Sequence, residues 1–452
     1  MYLVIFSAIL ILANIYCFKN SKYLYLFFPC ILFLPDYYGI EINESIPLLT
    51  ATRIMYVIFY IYAFLNRKQQ KTIKNISLKE LPKIYYFLAL YFILRIFTNL
   101  YYITTYSQAI KTIIIIVFEQ LMILVAIYIL SPTREEIINV AKAIVCGACV
   151  LFVVGVFESI TFICPFDVLY TVSRDMLNIK FIRLGLLRSV TTMGMPGLYG
   201  NMCVLITPLI FYLHHITGQR KYMIACFLDI LAIIHSGCRS DIVYFIILTL
   251  IYLFMLHKDR ARLKNCLKNA FIVFVMLFIW IFILSISSQK FNYYYVGTGK
   301  SVLNTVGFNF DLDDGAPEGT GGYGVNPDIG GSRLIQFSAI SFTAQKNPVF
   351  GLGSGAQNRR EIHLIWNGTS FNLYSYDVGI IQIFCDEGII GIISVMGLLS
   401  FIFVSSRKTI FYRLSLLSYL LTTLSTSNMY IYCFIFIIIF WNFKEKVAFE
   451  AE

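Results

Sequence analysis

Runs of roughly 15 to 25 mostly apolar residues recur along the whole chain, and they constrain its fold more than any other feature. A helix needs about 20 such residues to cross a bilayer, and helices and closed barrels are the structures that satisfy their own backbone there. The sequence therefore predicts an all-α polytopic integral membrane protein with about thirteen membrane-spanning helices, within a range of twelve to fourteen. The predicted spans lie near 1–17, 23–35, 48–65, 84–100, 109–130, 138–163, 197–215, 222–236, 241–256, 268–287, 378–405, 409–424 and 428–442.

Composition supports this fold class and explains the positive charge. Of 452 residues, 58% are hydrophobic and only 13% are charged, whereas soluble domains have about 25% charged residues. The net charge of +11 would suggest nucleic-acid binding in a soluble protein. In a membrane protein, Lys and Arg clustered in short loops determine orientation instead. We therefore expect membrane lipid around the chain and no nucleic-acid partner.

The loop charges also predict which side of the membrane each loop faces. Basic residues mark every second loop, whereas the loops at 36–47, 101–108 and 425–428 are poor in positive charge. Because Lys and Arg are retained in the cytoplasm, the N-terminus is predicted outside, the C-terminus inside and the long 288–377 loop outside. The basic residues that mark the inner loops are Lys19, Lys22, the six from Arg67 to Lys83, Arg134, Arg220, Lys221, the run 258–268, Arg407, Lys408, Lys444 and Lys446.

Two predicted outer loops differ from ordinary connections. The loop 164–196 is net basic, which reflects either solvated surface charge or contact with an anionic ligand. Its charged residues include Asp167, Arg174, Asp175, Lys180, Arg183 and Arg188. The loop 288–377 is polar and glycine-rich, and long loops of this kind usually have a function. It begins with an aromatic stretch, 291–295, typical of a membrane interface, and includes a predicted short helix at 334–346.

Two patterns superficially suggest metal or redox chemistry, and we expect neither. Cys146 and Cys149 lie in an apolar run without a second cysteine pair or nearby histidines, so we interpret them as small core residues. The acidic segment 311–318 misplaces the alternating oxygen ligands and the closing Glu of a calcium loop. The sequence thus predicts no metal and no cofactor.

Arg239 is the first candidate for binding an anion. It lies in the segment His235–Asp241, where one predicted span ends at the outer side and the next begins. A guanidinium at membrane depth is costly and is usually paired or placed on a substrate path. Two explanations remain open: an ion pair with Asp241 that joins the two helix ends, or a contact with a phosphate group.

Arg333 and Arg188 are the second and third candidates. Ser332 is a suitable N-cap, which places Arg333 in the first turn of a helix, where a cation is unfavourable unless an anion also binds. A solvent-facing arginine is the alternative. Arg188 precedes the glycine-rich stretch 191–201, whose glycines otherwise serve close helix packing. Three arginines from separate outer segments suit a diphosphate because the planar guanidinium donates two parallel hydrogen bonds.

Asp377 is the main candidate for a general base. It begins a long helical pattern at the predicted outer boundary of the membrane, where a carboxylate can accept a proton from a substrate hydroxyl. The alternative is a carboxylate that stabilises the helix dipole. His363, in the same loop, is a weaker candidate.

Several short motifs, in their order along the chain, resemble those of the O-antigen ligase and polymerase superfamily of bacterial envelope proteins. They are Ser236-Gly-Cys-Arg239-Ser, Gly331-Ser-Arg333-Leu, Asn347-Pro-Val-Phe-Gly-Leu-Gly353-Ser-Gly355, the Asp377 segment and Glu387-Gly388-Ile-Ile-Gly391. The resemblance implies a membrane glycosyltransferase of the GT-C type, with a polyprenyl-diphosphate-linked glycan as donor and no nucleotide sugar or metal. In ligase members a histidine precedes the last Gly-x-x-Gly by roughly three helical turns. Here Asp377 stands at that place, which favours a Wzy-type polymerase.

On this resemblance we expect an O-antigen polymerase in the bacterial inner membrane, with both long loops in the periplasm. Its donor and acceptor would be oligosaccharides on undecaprenyl diphosphate, and a chain-length regulator would be its partner. Arg239 and Arg333, assisted by Arg188, would hold the donor diphosphate, and Asp377 would take the acceptor proton in an inverting displacement. The alternatives are an O-antigen ligase and a polysaccharide flippase. A flippase would show charges facing a mid-membrane cavity, and Arg95 is among the few charges within the predicted spans.

Overall fold

A computed structural model of the protein describes twelve stretches of the chain. They are residues 2–41, 47–66, 83–172, 180–257, 259–305, 307–312, 314–317, 333–366, 369–373, 376–405, 410–426 and 429–440. Some residues named above lie outside them, among them Ser332, Arg174, Asp175 and several of the basic residues of the inner loops. The chain forms two compact units. Unit 1 comprises Met1–Tyr38 and Ile138–Val325, and unit 2 comprises Gly39–Ile137 and Asn326–Glu452.

Helices account for most of the described residues. In chain order they are α1 (Tyr2–Lys19), α2 (Tyr23–Phe33), α3 (Ala51–Leu65), α4 (Lys83–Tyr101), α5 (Ser107–Ile115), a π-helical stretch (Ile116–Leu121), α6 (Met122–Leu130), α7 (Arg134–Thr161), a 3₁₀ turn (Pro165–Leu169), α8 (Pro196–Thr217), α9 (Lys221–His235), α10 (Arg239–Met255), α11 (Arg260–Ser287), α12 (Gln289–Thr305), α13 (Arg333–Gln336), α14 (Ser338–Lys346), α15 (Gly379–Ser405), α16 (Ile410–Thr423) and α17 (Tyr430–Phe440).

The described strands form three small antiparallel hairpins. Strands β1 (Gly39–Ile40) and β2 (Leu49–Thr50) form the first, β3 (Ile182–Arg183) and β4 (Leu186–Leu187) the second, and β5 (His363–Trp366) and β6 (Thr369–Asn372) the third. In the third hairpin, His363 is opposite Asn372 and Trp366 is opposite Thr369. None of these short hairpins alters the helical character of the fold.

The all-α polytopic membrane fold is confirmed. A helix lies at each of the thirteen predicted spans, and seven described helical segments are long and apolar enough to cross a membrane: α1, α4, the continuous α5–α6 segment, α7, α8, α11 and α15. The number of thirteen spans stays a prediction. Three local details differ from expectation. The sequence 289–305 forms helix α12, the predicted helix at 334–346 is interrupted at Phe337, and the last long helix begins at Gly379, two residues after Asp377.

Unit 1 is organised around α8, whose residues are almost all buried. Small residues allow its neighbours to approach closely. A Cβ atom at Gly155 of α7 would lie 2.1 Å from the Tyr199 hydroxyl, and one at Gly200 of α8 would lie 1.9 Å from Asp241 Oδ2. The glycines at 155 and 200 are therefore packing positions, and within the stretch 191–201 the packing alternative holds for Gly200 but not for Gly194, where a Cβ atom would meet nothing within 4 Å.

Unit 2 is organised around α15, which packs on α4 over much of its length. A second core lies under the β5–β6 hairpin, where apolar side chains from α13, α14, the glycine-rich loop and the start of α15 meet. This core includes Ile335, Ala339, Leu352 and Ile381, all nearly inaccessible to solvent. The loop around Asp377 is thus anchored to a packed apolar core.

Candidate functional site

Arg183 of β3 and Arg188, which directly follows β4, hold the turn between α9 and α10. Gly237 lies in this turn with a φ of +66°. Arg183 donates from Nη1 to its carbonyl oxygen at 2.6 Å, and Arg188 donates from Nε to the Ser236 carbonyl oxygen at 3.0 Å. Carbonyl groups at the end of a helix lack intrahelical partners, and guanidinium groups satisfy them well. The hairpin therefore fixes the backbone directly before Arg239.

Arg188 also contacts Cys238, the residue that precedes α10. Its Nη2 lies 2.9 Å from Cys238 Sγ. Burial raises the pKa of the Cys238 thiol, although the neighbouring guanidinium acts in the opposite direction. A Cβ atom at Gly237 would lie 2.9 Å from Arg188 Cγ, so the glycine leaves the room that this side chain occupies. The structure thus places Arg188 beside the turn that leads to Arg239.

Arg239 is the first residue of α10 and is half-buried. Within the described part of the chain its guanidinium has no hydrogen-bond or ion-pair partner, and the ion pair with Asp241 that the sequence left open is not formed. Asp241 is instead buried against Gly200 of α8. Cys238 provides no side-chain cap for α10, so the positive end of the helix dipole adds to the charge of Arg239. This end of α10 is suited to bind an anion.

The tyrosines of the aromatic stretch 291–295 pack inside unit 1, and the position of this stretch at a membrane interface stays a prediction. Tyr293, Tyr294 and Tyr295 are all buried in α12. The Tyr294 hydroxyl donates to the Ile234 carbonyl oxygen at 2.7 Å. Burial raises the pKa of Tyr295 to about 12, so its hydroxyl stays protonated at neutral pH. Helix α12 therefore supports the end of α9.

The buried His235 side chain forms a short hydrogen-bonded chain with α11 and α12. Trp280 Nε1 donates to the Tyr295 hydroxyl at 3.3 Å, and that hydroxyl lies 3.0 Å from His235 Nε2. The Tyr295 hydroxyl has two acceptor lone pairs, so it can accept from Trp280 and either donate to His235 Nε2 or accept from it, according to the tautomer of the imidazole. We interpret His235 as a structural residue of the turn before Arg239.

In unit 2, the segments that carry Arg333 and Asp377 are joined by a hydrogen bond. Gln336, the last residue of α13, accepts at Oε1 from the Asp377 backbone N–H at 2.9 Å. Gln336 is buried, whereas Asp377 is half-buried. The Asp377 carboxylate makes no hydrogen bond or ion pair with any other described residue. The helix-dipole explanation for Asp377 is weakened, because α15 begins two residues later.

The short length of α13 weakens the expectation, based on the helix dipole, that an anion binds beside Arg333. Arg333 is its first residue, as predicted, but α13 has four residues and the chain turns at Phe337 before α14. A single turn has a much smaller dipole than the continuous helix that the sequence predicted. A role for Arg333 therefore depends on its charge and location more than on a helix end.

Gly388 and the glycine-rich loop 351–355 lie at a break in helix α15. Gly388 has φ 66° and ψ −157°, inside a helix that otherwise runs from Gly379 to Ser405. The glycine-rich loop fills the break. Leu352 N–H donates to the Cys385 carbonyl oxygen at 2.7 Å, and Ile389 N–H donates to the Pro348 carbonyl oxygen at 2.9 Å. Interrupted backbone is tolerated at membrane depth only where other protein groups satisfy it, and this loop does so.

A buried ion pair lies next to the break. Arg95 of α4 donates to Glu387 of α15 through Nε at 2.8 Å and Nη2 at 2.6 Å, with side-chain exposures of 5% and 3%. Arg95 Nη1 donates to the Tyr91 hydroxyl at 2.7 Å, and its guanidinium lies 4.2 Å from the centroid of the Tyr430 ring. Arg95 is among the few charges within the predicted spans, where a flippase would need charges that face a cavity. Its side chain is instead fully engaged in holding α4 to α15.

Arg359, which was not predicted from the sequence as a site residue, stabilises the glycine-rich loop. Its guanidinium donates to the Leu352 and Ser354 carbonyl oxygens, both at 2.8 Å, and lies 3.6 Å from the centroid of the Tyr106 ring. Arg359 and Arg360 are consecutive in a polar loop, and the sequence alone does not indicate which side chain contacts the protein.

His363, the weaker candidate for a general base, is exposed on β5, and its side chain pairs with that of Asn372.

Glu158 of α7 is a second residue that the sequence analysis missed. Its carboxylate accepts the Thr191 backbone N–H at 2.8 Å, where Thr191 has a φ of +47°. An acidic residue near the end of an apolar run was the available signal, because such a group requires a partner. Glu158 fixes the loop between Arg188 and α8.

Together these features define the class of the protein: a multi-pass, all-α membrane protein with interrupted backbone stabilised inside its helical units. Residues 224–396 match the Wzy_C family model, described as O-antigen ligase. This region is therefore a domain of the O-antigen ligase and polymerase superfamily, whose members are glycosyltransferase-like enzymes. The match includes Arg239, Arg333 and Asp377, whereas Arg188 precedes it. No curated protein matches the chain.

Proposed function

We propose that the protein is an O-antigen polymerase. It would transfer the growing glycan from undecaprenyl diphosphate to the non-reducing-end sugar of a newly delivered lipid-linked repeat unit. The observation that carries the proposal is Arg239: a half-buried guanidinium at the start of α10, without a partner among the described residues, inside the segment that matches the family. A charge in such a position is most simply explained by an anionic ligand.

We assign Arg239 to the donor diphosphate, with Arg188 as a positioning residue. Two of the donor atoms of Arg188 are engaged by Ser236 and Cys238, so its main effect is to fix the turn before Arg239. Arg239 then stabilises the negative charge that develops on the diphosphate as the glycosidic bond breaks. Arg333 is assigned a second contact with the same diphosphate, on the basis of its charge and of its motif.

Asp377 is assigned the role of general base. An acceptor hydroxyl would attack the anomeric carbon of the donor's reducing-end sugar, and its proton would pass to the Asp377 carboxylate. The bond between the anomeric carbon and the diphosphate oxygen would break, and undecaprenyl diphosphate would leave with the electron pair. A single displacement of this kind inverts the anomeric configuration. Support comes from the half-buried carboxylate of Asp377, which no other described residue engages.

Location and partners follow from the same proposal. The enzyme would lie in the bacterial inner membrane with its N-terminus and the loops 164–196 and 288–377 in the periplasm, and its C-terminus in the cytoplasm, as the loop charges predict. A chain-length regulator would be its protein partner.

The matching family is described as O-antigen ligase, which makes a ligase the second candidate. A ligase would attach the glycan to lipid A–core. The lipopolysaccharide banding pattern of a deletion strain separates the two functions. Loss of a polymerase leaves core that carries single repeat units, whereas loss of a ligase leaves polymer that is not attached to core. A flippase has less support, because Arg95 is consumed by its pair with Glu387, and inner-leaflet accumulation of substrate after deletion would favour it.

The residue assignments are tested in a polymerase-null strain complemented with single variants. We expect Arg239→Gln to lower polymerisation by about 10²- to 10³-fold, the loss typical for one charge-stabilising donor, and Asp377→Asn to lower it by about 10²- to 10⁴-fold. Both should collapse the O-antigen ladder to single repeats, and Arg333→Gln should shorten it. Membrane protein levels should stay normal for Arg239→Gln, because that side chain has no partner among the described residues to lose.

Lys180→Gln is the matched control, since it removes an exposed positive charge from the basic loop and should leave the ladder unchanged. Long ladders from both Arg239→Gln and Arg333→Gln, at normal protein level, would refute the diphosphate assignment.

A further inference from the structure

A cavity of about 200 Å³ lies inside unit 1 between α8, α9, α10 and α11. Its walls are mostly apolar and include Phe211, Tyr252, Ala270 and Phe274. The cavity lies toward one end of this helix group: its lining reaches His214, close to the end of α8, and Tyr222, in the first turn of α9. The loop charges predict that this end faces the cytoplasm.

The cavity is accessible from the lipid side of α11. Phe274 lines it and is nevertheless 62% exposed, and Phe271 and Phe278 on the same helix are 67% and 60% exposed. An exposed apolar face of this kind contacts lipid chains in a membrane protein. An empty apolar cavity is unfavourable because its lining atoms lack dispersion contacts, so a lipid chain that entered it would gain those contacts.

Two basic side chains lie near lining residues at the predicted cytoplasmic end of the cavity. Lys221 Nζ lies 5.3 Å from the centroid of the ring of Tyr222, which lines the cavity. Arg262 Nη1 lies 3.1 Å from His215 Nε2, next in the chain to the lining residue His214. Arg262 also pairs with Asp259 at 3.0 Å, so Lys221, Arg262 and Asp259 together carry one net positive charge. Positive charge therefore remains beside an apolar cavity.

We propose that this cavity binds one anionic phospholipid of the inner leaflet. One acyl chain occupies the space between α8 and α11, and the phosphate of the headgroup contacts Lys221 and Arg262. Basic groups between helices on the cytoplasmic side are a recurrent recognition feature for anionic headgroups. A neutral lipid fits the apolar cavity equally well but gains nothing from the two cations, so charge complementarity decides the class of lipid. The site is separate from Arg239, which begins the opposite end of α10.

The test uses the full-length protein purified in mild detergent and reconstituted in vesicles of phosphatidylcholine, or of phosphatidylcholine and phosphatidylglycerol in equal parts. Lipid that remains bound after re-extraction is quantified by mass spectrometry. The wild type should retain phosphatidylglycerol in preference to phosphatidylcholine. A surface charge typically changes anionic-lipid binding about fivefold, so Lys221→Gln/Arg262→Gln should reduce that preference by roughly 5- to 25-fold and leave phosphatidylcholine retention unchanged.

Two further variants and their controls separate the apolar and charged parts of the site. Ala270→Phe fills the cavity and should abolish retention of both lipids, whereas Ala8→Phe, on the exposed face of α1, should not. Lys19→Gln/Lys22→Gln removes two exposed charges on the same predicted side and should keep the wild-type preference. An unchanged phosphatidylglycerol preference in Lys221→Gln/Arg262→Gln would overturn the proposal. So would a retained polyprenyl lipid that is insensitive to that double variant, because it would identify the cavity as a binding site for the substrate's tail.

Discussion

Substitution of Gly388 by alanine is the sharpest test of the broken-helix arrangement in unit 2. At φ 66° and ψ −157°, Gly388 occupies a backbone region that is almost restricted to glycine, and any other residue there costs about 1–3 kcal/mol. A Cβ atom would also lie 2.3 Å from the Val349 carbonyl oxygen and 2.5 Å from the Gly351 nitrogen. Both neighbours are backbone atoms, so the glycine-rich loop itself must move.

Movement of this loop weakens the hydrogen bonds that close the break in α15. The bonds from Leu352 N–H to the Cys385 carbonyl and from Ile389 N–H to the Pro348 carbonyl are 2.7 Å and 2.9 Å long. Each is typically worth about 0.5–1.5 kcal/mol net, and more if its groups are left unsatisfied in an apolar environment. We therefore expect Gly388→Ala to lower the free energy of unfolding by about 2–6 kcal/mol, a large part of the stability of a typical domain.

The assay is thermal unfolding of the purified protein in detergent, together with its steady-state level in the membrane. Gly397→Ala is the matched control, because Gly397 lies in the same helix and a Cβ atom there meets nothing within 4 Å. That control should be neutral or stabilising by up to about 1 kcal/mol, since alanine favours helix more than glycine does. If Gly388→Ala unfolds at the same temperature as Gly397→Ala, the break in α15 is not a fixed feature of the fold.

Two further predictions concern residues that support the sites. Arg95→Met or Glu387→Met alone should destabilise the protein by about 3–5 kcal/mol, because each leaves an unpaired buried charge, whereas the double variant should recover most of that loss in the same unfolding assay. Additive losses would show that the two charges are not coupled. Gly237→Ala, at φ +66°, should cost about 1 kcal/mol and displace Arg188 from the Ser236 carbonyl, so O-antigen chains should shorten at nearly normal protein level. Full-length chains in that variant would show that the turn before Arg239 need not be fixed.

The positions of the long helices could be predicted from sequence because their signal is local. An apolar run of sufficient length has few alternatives in a membrane, so each predicted span coincides with a helix to within a few residues, except that α11 begins eight residues before its predicted span at 268. Helix α12 was missed because it lacks such a local signal. Its sequence, 289–305, mixes polar residues and glycines with its apolar ones, and it packs against residues far away in the chain, such as Leu184.

The candidate site was only partly predictable. The start of α10 at Arg239 follows from a local change in pattern, and the sequence indicated it. The engagement of Arg188 by the carbonyl of Ser236 depends on a tertiary contact over 48 positions, for which a single sequence holds no signal. The break at Gly388 was hidden for a related reason. A glycine in an apolar helical pattern is compatible with a regular helix, and only the inserted loop reveals why glycine is needed.

The hydrogen-bond partners of the motif residues narrow down which of them are available for chemistry. A glycine-rich loop such as 351–355 is a natural candidate for binding phosphate through its N–H groups. Here, however, the N–H groups of Leu352 and Gly353 are used by carbonyl groups of α15. Glu387 is likewise used by Arg95.

Arg239 and Asp377 differ from these residues, because neither side chain has a partner among the described residues. A buried or half-buried charge without a partner is costly to maintain, and a bound substrate that supplies the missing partner removes that cost. The motif therefore divides by physical role. Its glycines and Glu387 build the fold, whereas Arg239 and Asp377 remain free for the contacts that we propose with an anionic donor and an acceptor hydroxyl.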